Sequence, residues 1–115
     1  MAITYFQDTI FQTDSALTAP GTGTALQVAV NNLFSTTEYT LITSVSAIDT
    51  NVVVCLEGSI DGTNYAPIIA NQTITANSTV AHNVSGSPVK WIRPKFVSES
   101  GGDNSAEVIF SVAAA

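Results

Sequence analysis

The sequence predicts an all-β domain, an antiparallel β-sandwich of jelly-roll or immunoglobulin-like type with about eight short strands. Three observations predict it. Helical periodicity is nearly absent, whereas β-branched residues and short apolar–polar alternations recur along all 115 residues. Turn signals punctuate these runs at Ala19-Pro20-Gly21-Thr22-Gly23, Asn31-Asn32, Asp49-Thr50-Asn51, Asp61-Gly62, Asn77-Ser78, Ser85-Gly86-Ser87-Pro88 and Gly101-Gly102-Asp103-Asn104. The length suits a single domain around one hydrophobic core, with no linker, repeat or low-complexity tract.

The pattern places strands near residues 3–12, 25–34, 38–48, 52–60, 65–75, 79–84, 89–98 and 106–113. The first 20 residues are the least patterned, and are either an N-terminal arm or a first strand; residues 21–115 form the sandwich. Alternation then assigns faces. Val28 and Val30 point inward. Tyr39, Leu41, Thr43 and Val45 form one core row, and Val108, Phe110 and Val112 another, alternating with Glu107, Ile109 and Ser111. The run Val52-Val53-Val54-Cys55-Leu56 is apolar on both faces, so its outer pair, Val53 and Cys55, needs a cover. Either the strand is central and covered by a loop or arm, or this face meets a second subunit, which is favoured because no helix is available to supply a cover.

Asp61-Gly62 reads as a hairpin turn, an Asp-Gly pair between an apolar run and Tyr65. A calcium loop would need further oxygen ligands at fixed spacing and a closing Glu, which are lacking. In the strand Lys90–Ser98, burying Ile92, Pro94 and Phe96 sets Trp91, Arg93, Lys95 and Val97 on the outer face. The opposite parity would bury two cations without partners. Pro94 cannot donate to a ladder and so implies an edge strand or a bulge. Trp91, Arg93 and Lys95 then read either as interface anchors or as a solvated strand face.

Composition excludes several function classes. Apolar residues make up 45% and charged residues only 10%, against roughly 25% charged in ordinary soluble domains. Ser, Thr and Asn fill the difference, a surface easily covered by other protein. The net charge is −6, and the three bases all fall within residues 90–95. Nucleic acid and anionic membranes are therefore not expected partners. One cysteine, Cys55, and one histidine, His82, allow neither an intrachain disulfide nor a His/Cys zinc set. No metal or other cofactor is expected. His82 lies on a strand without a nucleophile elbow nearby, so a surface or hydrogen-bonded histidine is favoured over a catalytic one. The start, Met1–Asp8, has no basic region or sustained apolar run, and no signal peptide is expected. The chain is expected to be made in a cytoplasm.

Two motifs carry a resemblance. Leu56-Glu57-Gly58-Ser59-Ile60-Asp61-Gly62-Thr63-Asn64-Tyr65, followed by Trp91-Ile92-Arg93-Pro94-Lys95-Phe96, resembles the small β-sandwich decoration or cement proteins of tailed bacteriophage particles. The chain departs from that pattern at Pro94, where a β-branched residue is usual. The resemblance implies a structural, non-enzymatic virion protein that binds and stabilises the capsid surface. It implies a homo-oligomer, trimers favoured, with the major capsid protein or another virion protein as partner. The interface residues then expected are Trp91, Arg93, Lys95, Val53 and Cys55. The alternative is a tail-associated or standalone carbohydrate- or receptor-binding module, with Trp91, Tyr65 and Tyr39 stacking on sugar rings. Such a site needs at least two coplanar rings exposed on one face.

Overall fold

Alternating rows of β-branched and aromatic residues favour strands that bury one face, and two sheets result. The computed structural model describes residues 10–29, 36–102 and 104–115. Its strands are β1 (Ile10–Thr13), β2 (Gly21–Thr22), β3 (Leu26–Gln27), β4 (Tyr39–Ser46), β5 (Asn51–Ser59), β6 (Ala66–Ile74), β7 (Ser78–Val84), β8 (Trp91–Ser100) and β9 (Glu107–Ala114). The first sheet has the order β1-β9-β4-β7; the second has β2-β8-β5-β6, with β3 also on β8. Every pairing is antiparallel.

Counting β2 and β3 as one interrupted strand gives eight positions. The first then pairs with the eighth, the second with the seventh, the third with the sixth and the fourth with the fifth. That nesting is a long antiparallel ribbon rolled over itself, which is the jelly roll and not the immunoglobulin arrangement. The first strand is a sheet member: Ile10–Thr13 pairs with β9, and Leu17 makes an isolated bridge to Val108. The expected strand at 3–12 is thus seen from residue 10 onward, and that at 25–34 at Leu26–Gln27. Residues 3–9, Val30 with the Asn31-Asn32 turn, and Asp103 lie outside the described residues.

The core forms where the inward rows of both sheets meet. Tyr39, Leu41, Thr43 and Val45 of β4 are buried, as are Val108, Phe110 and Val112 of β9. Val52, Val54 and Leu56 of β5 and Ile92, Pro94 and Phe96 of β8 face them from the second sheet. All follow the parity of the sequence. Each aromatic burial stabilises by roughly 1.5–3 kcal/mol. Tyr39 also brings a hydroxyl inside, and it is satisfied there. It donates to the Thr36 carbonyl at 2.6 Å and accepts from the Val89 amide at 3.2 Å and the Thr36 hydroxyl at 3.1 Å.

Pro94 resolves differently from expectation. Its strand is not at an edge: β8 lies between β5 and the β2/β3 position. The Pro94 carbonyl accepts from the Gly23 amide at 2.8 Å. In an antiparallel ladder a residue's N–H and C=O point the same way. The missing N–H therefore faces residues 23–25, where the outer strand is interrupted between its two short pieces. A bulge does occur, three residues on. Val53 opposes Ser98 and Val54 opposes Phe96, which takes Val97 out of register. Ser98, not Val97, fills the outer position beside Val53.

Gly23 is fixed by the same contact, because a β-carbon there would come within 2.6 Å of the Pro94 ring and also meet the Asp14 carboxylate. Gly23→Ala is expected to destabilise the fold by about 1–3 kcal/mol, the usual cost of overpacking. Chemical denaturation checks it, and an unchanged midpoint would show that residues 23–25 are free to move away from Pro94.

Candidate functional site

The two motifs that stand far apart in sequence meet on the outer face of the second sheet. The register of β5 against β8 sets Cys55 opposite Lys95, Glu57 opposite Arg93 and Ser59 opposite Trp91. Paired residues in a ladder share a face, so these side chains form one double row. The Arg93 guanidinium donates from Nε to Glu57 Oε1 at 2.8 Å, and Lys95 Nζ stands 3.8 Å from Glu57 Oε2. Arg93 also lies over the Tyr65 ring, 3.8 Å from its centroid. The side chain of Glu57 is only 8% exposed, against 29% for Arg93 and 39% for Lys95.

Trp91, Arg93 and Lys95 thus take the outward parity expected of them, but none is bare. All three are half-buried, and the strongest cation contact is spent within the chain. Cys55 points to the same row, the outward parity expected of it, yet is itself buried within the chain and so has little surface to offer a partner. Burial, and next the Glu57 carboxylate, raise its thiol above the ordinary range against the opposing pull of Lys95. That keeps the sulfur protonated and unreactive. Val53 is half-buried. Of the apolar outer pair of β5, Cys55 is thus out of water within the single chain, while Val53 keeps part of its surface open.

The missed residue is Glu57. Parity from Val53 and Cys55 places it in the outer row, opposite the one cationic pair in the chain, and that signal stood in the sequence.

Asp61 builds the loop that closes over this row. Its Oδ1 accepts from the amides of Thr63 at 2.8 Å and Asn64 at 2.7 Å and from the Ser59 hydroxyl at 3.0 Å. Its Oδ2 accepts from the Asn64 side chain at 2.7 Å, while the Gly62 amide donates to Ser59 Oγ at 2.9 Å. The connection runs over residues 60–65 between β5 and β6, longer than a two-residue hairpin, and at the Asp-Gly pair only Gly62 takes a positive φ, of 78°. A β-carbon on Gly62 would sit 3.4–3.5 Å from the indole of Trp91. The loop lies directly on that ring.

Other candidates disperse. Tyr39 is buried in the core and leaves the set of sugar-stacking rings; the Tyr65 face is occupied by Arg93. His82 sits half-buried on β7, opposite Leu41 on the inward row. Its Nδ1 is enclosed, with no hydrogen-bond partner among the described residues, where the sequence favoured a surface or hydrogen-bonded histidine. Among the described residues, no group of three or more His, Cys, Asp or Glu is placed to hold a metal.

The outer face of the first sheet has a different character. Ile42 and Ile109 are 39% and 41% exposed, and Ile42 opposes Ser111 while Ser44 opposes Ile109. The two isoleucines are therefore diagonal neighbours. Around them hydroxyls pair with one another, Thr13 with Ser111 at 3.1 Å and Ser44 with Thr79 at 2.9 Å. Of the described outward positions on β4, β7 and β9, only Glu107 at one end carries a charge.

No protein-family model matches the chain, and no curated protein matches it in sequence. Solved structures similar to it in shape include two that cover the whole of this chain. One is the SPBc2 prophage-derived protein YomS, with a TM-score of 0.59 and 10% identity over the whole of both chains. The other is the coat protein dimer of Tobacco streak virus, with a TM-score of 0.50 and 8% identity over all of this chain and 89% of the other. The likeness is one of fold. At such identities the shared feature is the two-sheet architecture, and no site residue carries across.

Two outcomes follow for this face. Glu57→Gln and Arg93→Gln, alone and together, are expected to show about 1 kcal/mol of coupling in denaturant titrations, because both cations remain partly wet. Additive effects would mean that the pair contributes nothing. The hydrogen bonds from Asn64 and Thr63 hold the Asp61 carboxyl well below the usual carboxylate range. A depressed folded-state pKa gives stability that is present above the unfolded value of about 4 and is lost as pH falls further. Asp61→Asn is expected to flatten the loss of stability below pH about 4, checked by thermal unfolding at several pH values. An unchanged acid slope would sink the assignment.

Proposed function

We propose that the chain is a structural protein of a virus particle, a decoration or cement protein of a tailed phage that binds the capsid surface as a homo-oligomer and acts by contact without catalysis. The observation that carries this reading is the outer face of the first sheet, with Ile42 and Ile109 exposed among mutually paired hydroxyls and almost no charge. Covering such a face desolvates few charges, and its hydroxyls keep their partners when water leaves. The fold likeness to a prophage-derived protein and a viral coat protein supports the same reading, as do the two sequence motifs.

The partner in this proposal is the major capsid protein or another virion protein. Each copy buries modest area, and particle symmetry multiplies the gain. Val53, Lys95 and the open side of Trp91 add a second contact on the other sheet. The basic pair is a poor carrier of binding by itself, since Arg93 is held by Glu57 and Tyr65. Trimers are the stoichiometry that the resemblance implies.

Particles made from the genome that encodes the chain test the proposal. Quantitative mass spectrometry is expected to find the chain in fixed ratio to the capsid protein. With Ile42→Lys and Ile109→Lys together, at least tenfold less should remain on the particle while the purified protein stays folded. Absence of the wild-type chain from purified particles would overturn the reading.

A further inference from the structure

The free edge of a β-sheet offers unpaired N–H and C=O groups, and proteins guard such edges with charge, proline, bulges or brevity. The edges of this sandwich differ sharply in that protection. The edge at β2 and β3 is two residues long at each piece, and β1, described from Ile10, runs into Asp14. The edge strand β6 carries Pro67, and its pairing with β5 shifts register twice. By contrast, β7 has seven residues, Ser78–Val84, with neither proline nor Asp, Glu, Lys or Arg. It keeps unbroken register with β4 from Val45↔Ser78 to Tyr39↔Val84. The neutrality extends beyond the strand, for residues 62–89 hold no Asp, Glu, Lys or Arg although the chain has a net charge of −6. Thr79, Ala81 and Asn83 are exposed, and Val80, His82 and Val84 are half-buried.

We propose that β7 pairs antiparallel with β7 of a second copy across a two-fold axis, joining two first sheets into one continuous sheet. The occupant is a second copy because of the charge pattern. In an isologous contact every patch meets itself, so any charge on it faces a like charge. Surfaces that carry this chain's acids would be repelled from their own image, whereas β7 meets only neutral side chains. A strongly charged foreign strand would find no complementary group on this flank. The regular register leaves the outer backbone groups evenly presented for a ladder, and the small side chains of Thr79, Ala81 and Asn83 let two strands approach.

This contact does not depend on the particle reading, and it is tested on the purified chain alone. Native mass spectrometry over a concentration series, with hydrogen exchange at each concentration, compares the wild type with Ala81→Lys/Asn83→Lys. These exposed positions lie opposite Ile42 and Thr40, so the thermal midpoint is expected to stay unchanged. The wild type should form even-numbered assemblies, dimers or hexamers where trimers are joined, with β7 amides slowing as they form. The double lysine variant should halve the assembly and weaken association at least tenfold. A control with the same added charge at exposed Thr18 and Thr63, Thr18→Lys/Thr63→Lys, should associate as wild type. A strict monomer, an assembly of three copies only, a double variant that associates normally, or a control that dissociates equally would each overturn the proposal.

Discussion

A carboxylate that is almost out of water costs stability unless it is paired. Glu57 imposes that constraint on the second sheet. It lies mid-sheet on β5, and the register that sets Arg93 directly opposite also sets Cys55 against Lys95 and Ser59 against Trp91. A slip by one residue would turn Arg93 and Lys95 toward the core and leave Glu57 without either. The pair therefore acts as a register lock. Arg93, once held, offers its flat face to Tyr65, which fixes the start of β6, and the Asp61 loop between them settles on Trp91. Four features that look separate in the sequence are one connected arrangement.

The departure at Pro94 follows from the opposite edge of β8. A β-branched residue there would have an N–H pointing at a place where β2 has ended and β3 has not begun. Proline removes that unpaired donor, and its ring occupies the space that Gly23 leaves by having no side chain. The proline, the glycine and the interruption in the outer strand explain one another. The register shift at Val97 then restores inward parity, so that Val52 and Glu99 pair beyond it, where the Glu99 carboxylate accepts from the Ala106 amide.

Much of this was legible beforehand, and the reasons are local. Alternation at Tyr39–Val45 and at Val108–Val112 reports burial directly, so core rows and the two-sheet class could be read. The outward parity of Trp91, Arg93 and Lys95 followed from the cost of burying cations. The covered state of Cys55 was not legible, because exposure within a sheet depends on which strands flank it, and strand order is not written in any one segment. Glu57 was overlooked although its parity was plain, since an acid next to Gly58 near a turn looks like ordinary solvated charge. The distinction between jelly roll and immunoglobulin fold likewise rests on long-range pairing, β1 with β9 above all. The outward direction of Ile42 and Ile109 is implicit in the alternation of their strands, but their adjacency appears only when β4 and β9 are set side by side.

The placement of acid completes the functional argument. Asp14, Asp49, Asp61 and Glu99 each accept a hydrogen bond from a backbone amide, of Thr24, Gly102, Thr63 with Asn64, and Ala106 respectively. These carboxylates tie down loops and turns, and Glu57 locks a register. The negative charge is thus largely committed to structural tasks at the ends and inside the second sheet, while the first sheet's outer face and the β6–β7 flank are left neutral. A monomer designed only to stay dispersed gains from charge on its broad faces and guarded edges. Here Asp14, Asp49 and Asp61 lie in the connections between strands, and Glu57 and Glu99 belong to the second sheet. Neutral faces with charged ends are what a protein needs if many identical acidic copies are to be brought together without mutual repulsion.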